Sequence, residues 1–589
     1  MVTADSQGAS DRCKNKESWN LINDISGRKK AGSSLVEGGS AEERRKNWLN
    51  HFKNLLGSPP EGAPDDLEVG SKGPPLDIDT SPFTIEELRE ARKMTKVGKA
   101  CGDDGFPPEV LKWCDLDDIL LELCNKALLE KVAPDQWRVS NIIPVPKKGD
   151  LTKTSNYRGI SLTSLVAKTL NRMILNRIRP EIEKMLRDNQ NGFRQGRSTT
   201  SHILALRRIL EGAKRKHLPA AMVFVDFKKA FDSLHRGTLM KILLAYGIPK
   251  EIVDLIGLLY INTKAKIITS DGETDLFDIV AGVLQGDTLA PYLFIIVLDY
   301  CMSLALEKIP DAGFTITPAR SRRVKAVKVS DTDFADDIAL IADSVEEAQK
   351  LLEEVEKAAA TVGLQMNEDK TKYLVENIDD PEPVKALSGK SIELKDDFLY
   401  LGGWIKSTEK DIKVRKAKAW AACHKLKTVW GSQLRKDLKL WLFTATVESV
   451  LLYGSETWTL TKRLAKMVDG CYTRMLGMAL NVSWKEHLTN SELYGRLPQV
   501  STKIAERRLR LAGHIHRHPE LTANQLLFWE PQHGESGRGR PHFTYIDCLK
   551  ADTGLKDKEE IGNLMLDRSL WRDVIRSVRQ YYPKRIQSH

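Results

Sequence analysis

Two short apolar runs, each abutting aspartate, constrain this chain most. Ala220 to Phe227 reads AAMVFVDF, with Asp226 as its one charge. A continuous apolar stretch of that length suits a strand buried on both faces. The second run, Ile338 to Ala342, follows Phe334-Ala335-Asp336-Asp337. A double aspartate between apolar stretches fits the tip of a β-hairpin. Strand ends are rigid, so carboxylates placed there can be aimed at one point, and all-oxygen donors suit hard divalent cations. Asp103-Asp104, Asp117-Asp118, Asp379-Asp380 and Asp396-Asp397 lack long apolar runs on both sides and read as turns or surface.

The surroundings extend this pattern. A helix is expected to begin at Thr84, and from there strands alternate with amphipathic helices. Ser344 and Glu347 are spaced as a capping box, with Gly363 as a stop. Beyond residue 408 the periodicity is helical throughout, as in the stripe Ala419, Cys423, Leu426 and Trp430. Mixed strands and helices followed by helices alone define an α+β chain with a helical appendage. Residues 1–80 are rich in Gly, Ser, Pro and charge, and read as a flexible leader with one amphipathic piece (Trp48, Phe52, Leu55, Leu56). The most apolar segment, Leu289 to Leu306, is broken by Pro291 and Asp299, which favours a buried helix over a membrane span.

Charge adds a hint about partners. The net charge is +10, but it is unevenly spread. Residues 138–216 hold 18 Lys and Arg against 5 Asp and Glu, and residues 406–439 hold 11 against 3. Basic arms on both sides of the aspartates are what a cleft gripping a polyanion requires. Eight cysteines without C-x-x-C spacing read as reduced thiols of an intracellular protein, and the polar first thirty residues show no secretory signal.

The motifs, taken in order, resemble those of the reverse transcriptases of non-LTR retrotransposons. Asp226 with Ala230-Phe231-Asp232, then Gln285-Gly286, then Phe334-Ala335-Asp336-Asp337 is similar to that family's palm signature. GDDGFPPEVLK (Gly102 to Lys112), NYRGISL (Asn156 to Leu162) and QNGFRQGRST (Gln190 to Thr199) resemble segments leading into the palm. GLQMNEDKT (Gly363 to Thr371) and YLGG (Tyr400 to Gly403) resemble later palm motifs. The resemblance implies a right-hand polymerase fold: a leader over 1–80, fingers over 81–219, and a palm with an antiparallel sheet over 220–405. A helical thumb over 406–480 and a basic helical C-terminal region over 481–589 would follow.

It also implies an RNA-directed DNA polymerase, adding dNTPs to a DNA primer on an RNA template. Asp226, Asp336 and Asp337 would hold two Mg²⁺ (or Mn²⁺) ions, about 4 Å apart in such enzymes. Lys147 or Lys148, with Arg158, would meet the triphosphate. Phe231 would exclude a 2′-hydroxyl, Gln285 and Gly286 would line the nucleotide and template pocket, and Lys370 would protonate the departing pyrophosphate. Tyr400, Leu401 and Gly402 would form the primer grip. Two departures stand against the family pattern: Asp287, Thr288 and Ala290-Pro291 replace a Cys and a Ser-Pro pair, and Phe334 replaces the commoner Tyr.

Leu451 to Trp458, Arg474 to Met478, Arg508 to Arg517 and Gly537 to Pro541 resemble the region after the polymerase in related elements. His514, His516 and His518 alternate as on a strand, but lack a C-x-x-C partner for zinc. Nucleic-acid contact by Arg507, Arg508, Arg510, Arg538 and Arg540 is the stronger expectation. The leader is too short for the endonuclease such elements usually carry, so the chain is expected to be a polymerase portion that does not nick DNA by itself. It is expected in nucleus and cytoplasm, away from membranes. The competing reading is a catalytically inactive remnant that still binds RNA; a maturase or telomerase-like polymerase is disfavoured by the C-terminal resemblance.

Overall fold

In the computed structural model, residues 36–58, 67–147, 149–321, 323–495, 497–535 and 542–587 are described. The elements that position the site are, in chain order, helix α1 (Ala41–Leu56), strands β1 (Val139–Pro146) and β2 (Tyr157–Leu162), and helices α2 (Leu165–Met185) and α3 (Thr199–Lys216). Strands β3 (Ala220–Val225) and β4 (Lys264–Thr269) follow, then helix α4 (Ala290–Lys308) and the hairpin β5 (Asp331–Phe334) and β6 (Asp337–Ala342). Helix α5 (Val345–Ala360), strands β7 (Lys372–Glu376) and β8 (Glu393–Leu394), and helices α6 (Thr408–Lys425), α7 (Lys462–Ala479), α8 (Val500–His516) and α9 (Arg568–Gln587) complete the set.

The central sheet runs β5-β6-β3-β7-β8. Its neighbours are antiparallel except β7 and β8. Strand β3 is buried at every residue because helices cover both faces. Ala221, Val223 and Val225 share one core with Leu293 of α4 and Leu351, Leu352 and Val355 of α5. Ala220, Met222 and Phe224 share another with Ile203, Leu206 and Ile209 of α3 and Leu509 and Ala512 of α8. Two covered faces explain an unbroken apolar run where a half-exposed strand would alternate. Although α3 precedes residue 220, it packs against this sheet and the C-terminal helices.

A second sheet places β1 between β2 and β4, antiparallel to the first and parallel to the second. Here the expectation of a flexible leader fails for part of the segment. Residues 41–56 form helix α1, capped by Ser40, whose Trp48 and Phe52 are buried. Trp48 meets Tyr157 of β2 edge-on at 4.8 Å. Anchoring by two aromatic rings outweighs the polar composition around them. Residues 1–35 and 59–66 lie outside the described residues.

Helix α4 is the one candidate among the described residues long and apolar enough to cross a membrane, and it is mostly buried in the core. Its interrupting Asp299 accepts from the Tyr246 hydroxyl at 2.7 Å and from the backbone N–H of Arg187 at 2.9 Å. A third core joins α6 and α7, burying Ala419, Cys423, Leu426 and Trp430 beside Phe443 and Tyr472.

Three local expectations need correction. Glu347 does not complete a capping box: Ser344 accepts from Glu347 N, but the Glu347 carboxylate takes the N–H of Asp343 instead. The alternating histidines do not mark a strand, because Val500 to His516 is helical and buries Ile504, Leu509, Ala512 and Ile515. The basic excess before residue 216 is also only partly a surface property. Arg187, Arg194, Arg207 and Arg208 are paired with Asp331 and Asp333, Glu183, Asp411 and Glu211 respectively. Those arginines hold elements together and are unavailable to a polyanion.

Candidate active site

The register of β3 on β6 pairs Val225 with Ile338. One step outward, Asp226 leaves β3 beside Asp337, and Asp336 sits in the turn of the β5–β6 hairpin. That turn requires Ala335 at φ +54°, a conformation costly for a residue with a Cβ. Gln190 holds it there. Its side-chain oxygen accepts from Ala335 N at 2.8 Å and Gly192 N at 2.7 Å. Gly192 packs so tightly that a Cβ would lie 2.3 Å from Ala335 N.

Further bonds fix the hairpin from outside. Asn191 N donates to Asp333 O at 2.7 Å, and Asp333 N donates to Asn189 O at 3.0 Å. Arg187 reaches the buried carboxylates of Asp331 and Asp333. The Tyr400 hydroxyl lies 3.1 Å from Thr332 O and 3.0 Å from Asp337 O, bridging β5 and β6. The backbone of Asp226 is pinned through its N–H to the Thr371 hydroxyl and through its carbonyl to Asn367 N.

Three carboxylates so placed repel one another. Desolvation and the Asp226 charge raise Asp336 from its ordinary value. Desolvation, with Asp336 and Asp226, pushes Asp337 up to about 6. Lys370 offers partial relief, its ammonium lying 3.3 Å from Asp226 Oδ2. No His, Cys, Asp or Glu cluster among the described residues is closed enough to hold a metal as it stands. The donor chemistry nevertheless fits: oxygen-only ligands, mutually repelling, at a partly open cleft suit a hard divalent cation that keeps several waters.

Arg158 and Lys370 are the cations that oppose the upward shift of Asp336. Arg158 pairs in register with Val145, two residues before Lys147 on the β1–β2 hairpin. Desolvation and the neighbouring Arg158 charge lower Lys147, while Asp232 opposes them. Lys148 lies outside the described residues. Phe231 stacks on Phe294 at 4.2 Å and meets Phe193 edge-on at 5.9 Å, leaving its ring half-buried at the cleft. Gln285 donates to Asp232 Oδ1 at 2.9 Å and accepts Ser161 N at 2.8 Å, joining β2 to the central part of the chain. Gly286, at φ +117°, leaves no room for a Cβ, which would sit 2.5 Å from Ser161 O. Its close approach is therefore to the protein's own backbone.

Asp287 does not face the nucleotide side. It is buried, accepting from Asn171 Nδ2 at 2.8 Å and Thr288 N at 2.6 Å, with Lys168 nearby. Tyr400 is likewise buried beneath the hairpin, while Leu401 and Gly402 form a half-buried turn at positive φ. Among the C-terminal arginines, Arg508 is buried against Asp552 and Arg507 is paired with Glu456, which removes Arg508 from the surface candidates. Arg510 is exposed. Arg538 and Arg540 lie outside the described residues. Sequence pattern alone assigns no role to Gln190, Arg187 or Asp232, although Gln190 and Asp232 stand within the motifs. The acidic doublet Asp331 and Asp333, alternating just before the turn, was the one local sign that a buried cation lay opposite.

Comparison with known proteins gives this arrangement a class. Residues 145–405 match the family model described as reverse transcriptase (RNA-dependent DNA polymerase). An uncharacterised transposon-derived protein of Caenorhabditis elegans is 29% identical over 272 residues, covering 43% of this chain and 98% of that one. The Pol polyprotein of the type-1 retrotransposable element R2 of Popillia japonica is 25% identical over 426 residues, covering 71% of this chain and 57% of the polyprotein. The RNA-directed DNA polymerase from the mobile element jockey of Drosophila funebris is 23% identical over 475 residues, 76% of this chain and 49% of the relative. The chain thus spans about half the length of these two retrotransposon proteins. Residues 145–405 are a reverse transcriptase domain, a mixed helix-and-sheet unit of the right-hand polymerase class. The retrotransposon proteins among these relatives place the similarity with the reverse transcriptases of non-LTR elements.

Proposed function

We propose that this chain extends a DNA primer on an RNA template using dNTPs. The observation that carries the reading is the meeting of Asp226, Asp336 and Asp337 at one end of the central sheet, with Arg158 and Lys370 close enough to act on Asp336. In this reading β1 and β2 belong to fingers over 81–219, their sheet completed by β4 from the following segment; the central sheet is a palm within 220–405, 406–480 is a thumb and 481–589 a basic C-terminal region. Asp226, Asp336 and Asp337 would hold Mg²⁺ or Mn²⁺, which when bound activates the primer hydroxyl and neutralises triphosphate charge.

The side chains do the positioning. Arg158 grips phosphate oxygens with a planar guanidinium, and Lys147 or Lys148 adds a point charge. Phe231, braced by Phe294, walls off a ribose 2′-hydroxyl. Gln285 and Gly286 hold β2 against the palm and so set the width of the nucleotide pocket. Lys370, turned from Asp226 toward a departing pyrophosphate, supplies its proton. Because the Tyr400 ring is committed beneath the hairpin, the primer grip at Tyr400 to Gly402 acts through backbone. In cells the activity belongs where both RNA and chromosomal DNA are reachable, cytoplasm and nucleus.

Primer extension on an RNA template in Mg²⁺ tests the reading. The wild-type chain is expected to extend, and Asp336→Asn to lose more than about 100-fold, a loss that changes outside the ligand shell can already reach. A folded wild-type chain that binds RNA but never extends would leave the inactive remnant as the answer.

A further inference from the structure

Helices α8 and α9 pack against each other and leave a cavity of about 540 Å³ between them, lined by Arg510 and His514 of α8, Arg517 at its C-terminal cap, and Arg568, Arg572 and Arg576 of α9. We propose that this cavity binds the phosphodiester backbone of single-stranded RNA, as a docking site for the template outside the polymerase centre. The proposal deepens the polymerase reading and rests on it for the identity of the strand.

Spacing comes first. Residues 510, 514 and the cap residue 517 share one face of α8, and 568, 572 and 576 share one face of α9, so the two basic stripes confront each other. Arginines with a structural task in this chain are buried and paired, as Arg508 is with Asp552. Those of the cavity differ, apart from half-buried Arg517, which donates to Met565 O at 2.6 Å. Arg510 and Arg576 remain exposed despite a distant Glu506 at 3.6 Å and an adjacent Asp573 at 3.1 Å. Among the described residues no carboxylate comes within ion-pair distance of Arg568, Arg572 or Arg517. Like charges facing across a concavity are unfavourable unless a polyanion lies between them. The floor is built for the purpose of shape: Trp571 is buried, donates to Leu509 O at 2.9 Å, and sits where a Cβ on Gly513 would be 2.2 Å from its Nε1. Five guanidiniums around an apolar floor suit one strand, phosphates to the rim and sugars to Trp571 and Ile575.

Position selects the template. His514 Nε2 is hydrogen-bonded to Gly196 O at 2.8 Å. Gly196 lies in the segment whose Gln190 clamps the turn of Asp336 and whose Phe193 touches Phe231. A strand leaving the polymerase centre along residues 190–197 therefore reaches the cavity, and the uncopied template is the single strand there.

The test measures binding of the full chain to a labelled 30-nucleotide unstructured RNA across salt concentrations. Arg568→Ala/Arg572→Ala/Arg576→Ala is expected to weaken binding about tenfold and to flatten the plot of log affinity against log salt by about 2, since each single-strand phosphate contact contributes roughly 0.7. Lys250→Ala/Lys350→Ala/Lys357→Ala, equal in charge but on other helices, is expected to bind as wild type. If the triple variant misfolds by circular dichroism, Arg572→Glu alone should weaken binding by a similar factor. Wild-type affinity and salt slope in these variants would overturn the proposal. So would a loss confined to RNA–DNA duplex, or a polyglutamate probe bound as tightly as RNA. Because extension is assayed separately, a chain that extends primers while the variants bind RNA normally refutes the cavity alone. A chain that uses the cavity but never extends refutes the polymerase reading alone.

Discussion

Gln190 lies far from Asp336 in sequence yet fixes the turn on which Asp336 stands. Its side chain is the acceptor for two buried backbone N–H groups, those of Gly192 and Ala335. Gln190→Ala leaves both unsatisfied, at about 1–3 kcal/mol each, and frees Ala335 to leave its positive φ. Turnover in primer extension is expected to fall at least about tenfold while RNA affinity is unchanged. Parallel loss of both would show general misfolding instead. Asp232 offers a second residue-scale prediction. Desolvation raises its carboxyl to about 6, against the lowering effects of Gln285, Lys229, Lys147 and Arg158. With the folded value above the unfolded one, the folded state holds this proton more tightly. Its stabilisation is complete below about pH 4 and lost as pH rises to about 6. Asp232→Asn, which keeps the acceptor for Gln285, should flatten the pH dependence of the denaturation midpoint in that window. At neutral pH it should gain on the order of 2 kcal/mol, a shift of about two units being worth somewhat more before the flanking cations are discounted.

At the scale of elements, the β5–β6 hairpin is held from below as well as from the side. Tyr400→Phe removes the hydroxyl shared by Thr332 O and Asp337 O and leaves two carbonyls without that donor. A loss of about 1–3 kcal/mol in urea denaturation is expected, with extension reduced only in proportion. A variant as stable as wild type would show that water replaces the hydroxyl. The junction of β2 with Gly286 is less forgiving. Gly286→Ala demands a Cβ at φ +117° and 2.5 Å from Ser161 O, so β2 must move. The expected result is a rise in KM for dNTP of at least about tenfold, since β2 carries Arg158, with RNA affinity unchanged.

At the scale of the molecule, the C-terminal helices are part of the central sheet's second core. Helix α3 is buried between that sheet and Leu526, Leu527 and Trp529, and Trp529 Nε1 donates to Ile316 O at 2.9 Å. Cutting the chain after residue 480 would expose α3 and much of the apolar surface it shares. The shortened chain is therefore expected to aggregate on expression, measured as loss of the soluble fraction, although every residue of the candidate active site is retained. A soluble, active 1–480 fragment would show that α3 and the central sheet suffice.

The acidic residue types of the candidate site were legible in local stretches of sequence. Strand-like runs beside aspartate, the Asp336-Asp337 doublet and the helical stripe from Ala419 to Trp430 are local patterns that follow from backbone period and side-chain type, whereas Phe231 and Gln285-Gly286 stood out only through the resemblance to a family. Only the tertiary structure decided which charges are free. A run of arginines reads the same whether it lines a cleft or is buried, and partners such as Asp331, Asp411 and Asp552 lie from 44 to more than 200 residues away. The same holds for Trp48 and Phe52, which make a helix of a polar leader because Tyr157 meets them, and for His514 to His518, whose spacing is overruled by a helix with a core to bury. Register and burial depend on what the rest of the chain brings to each surface, and no window of sequence contains that information.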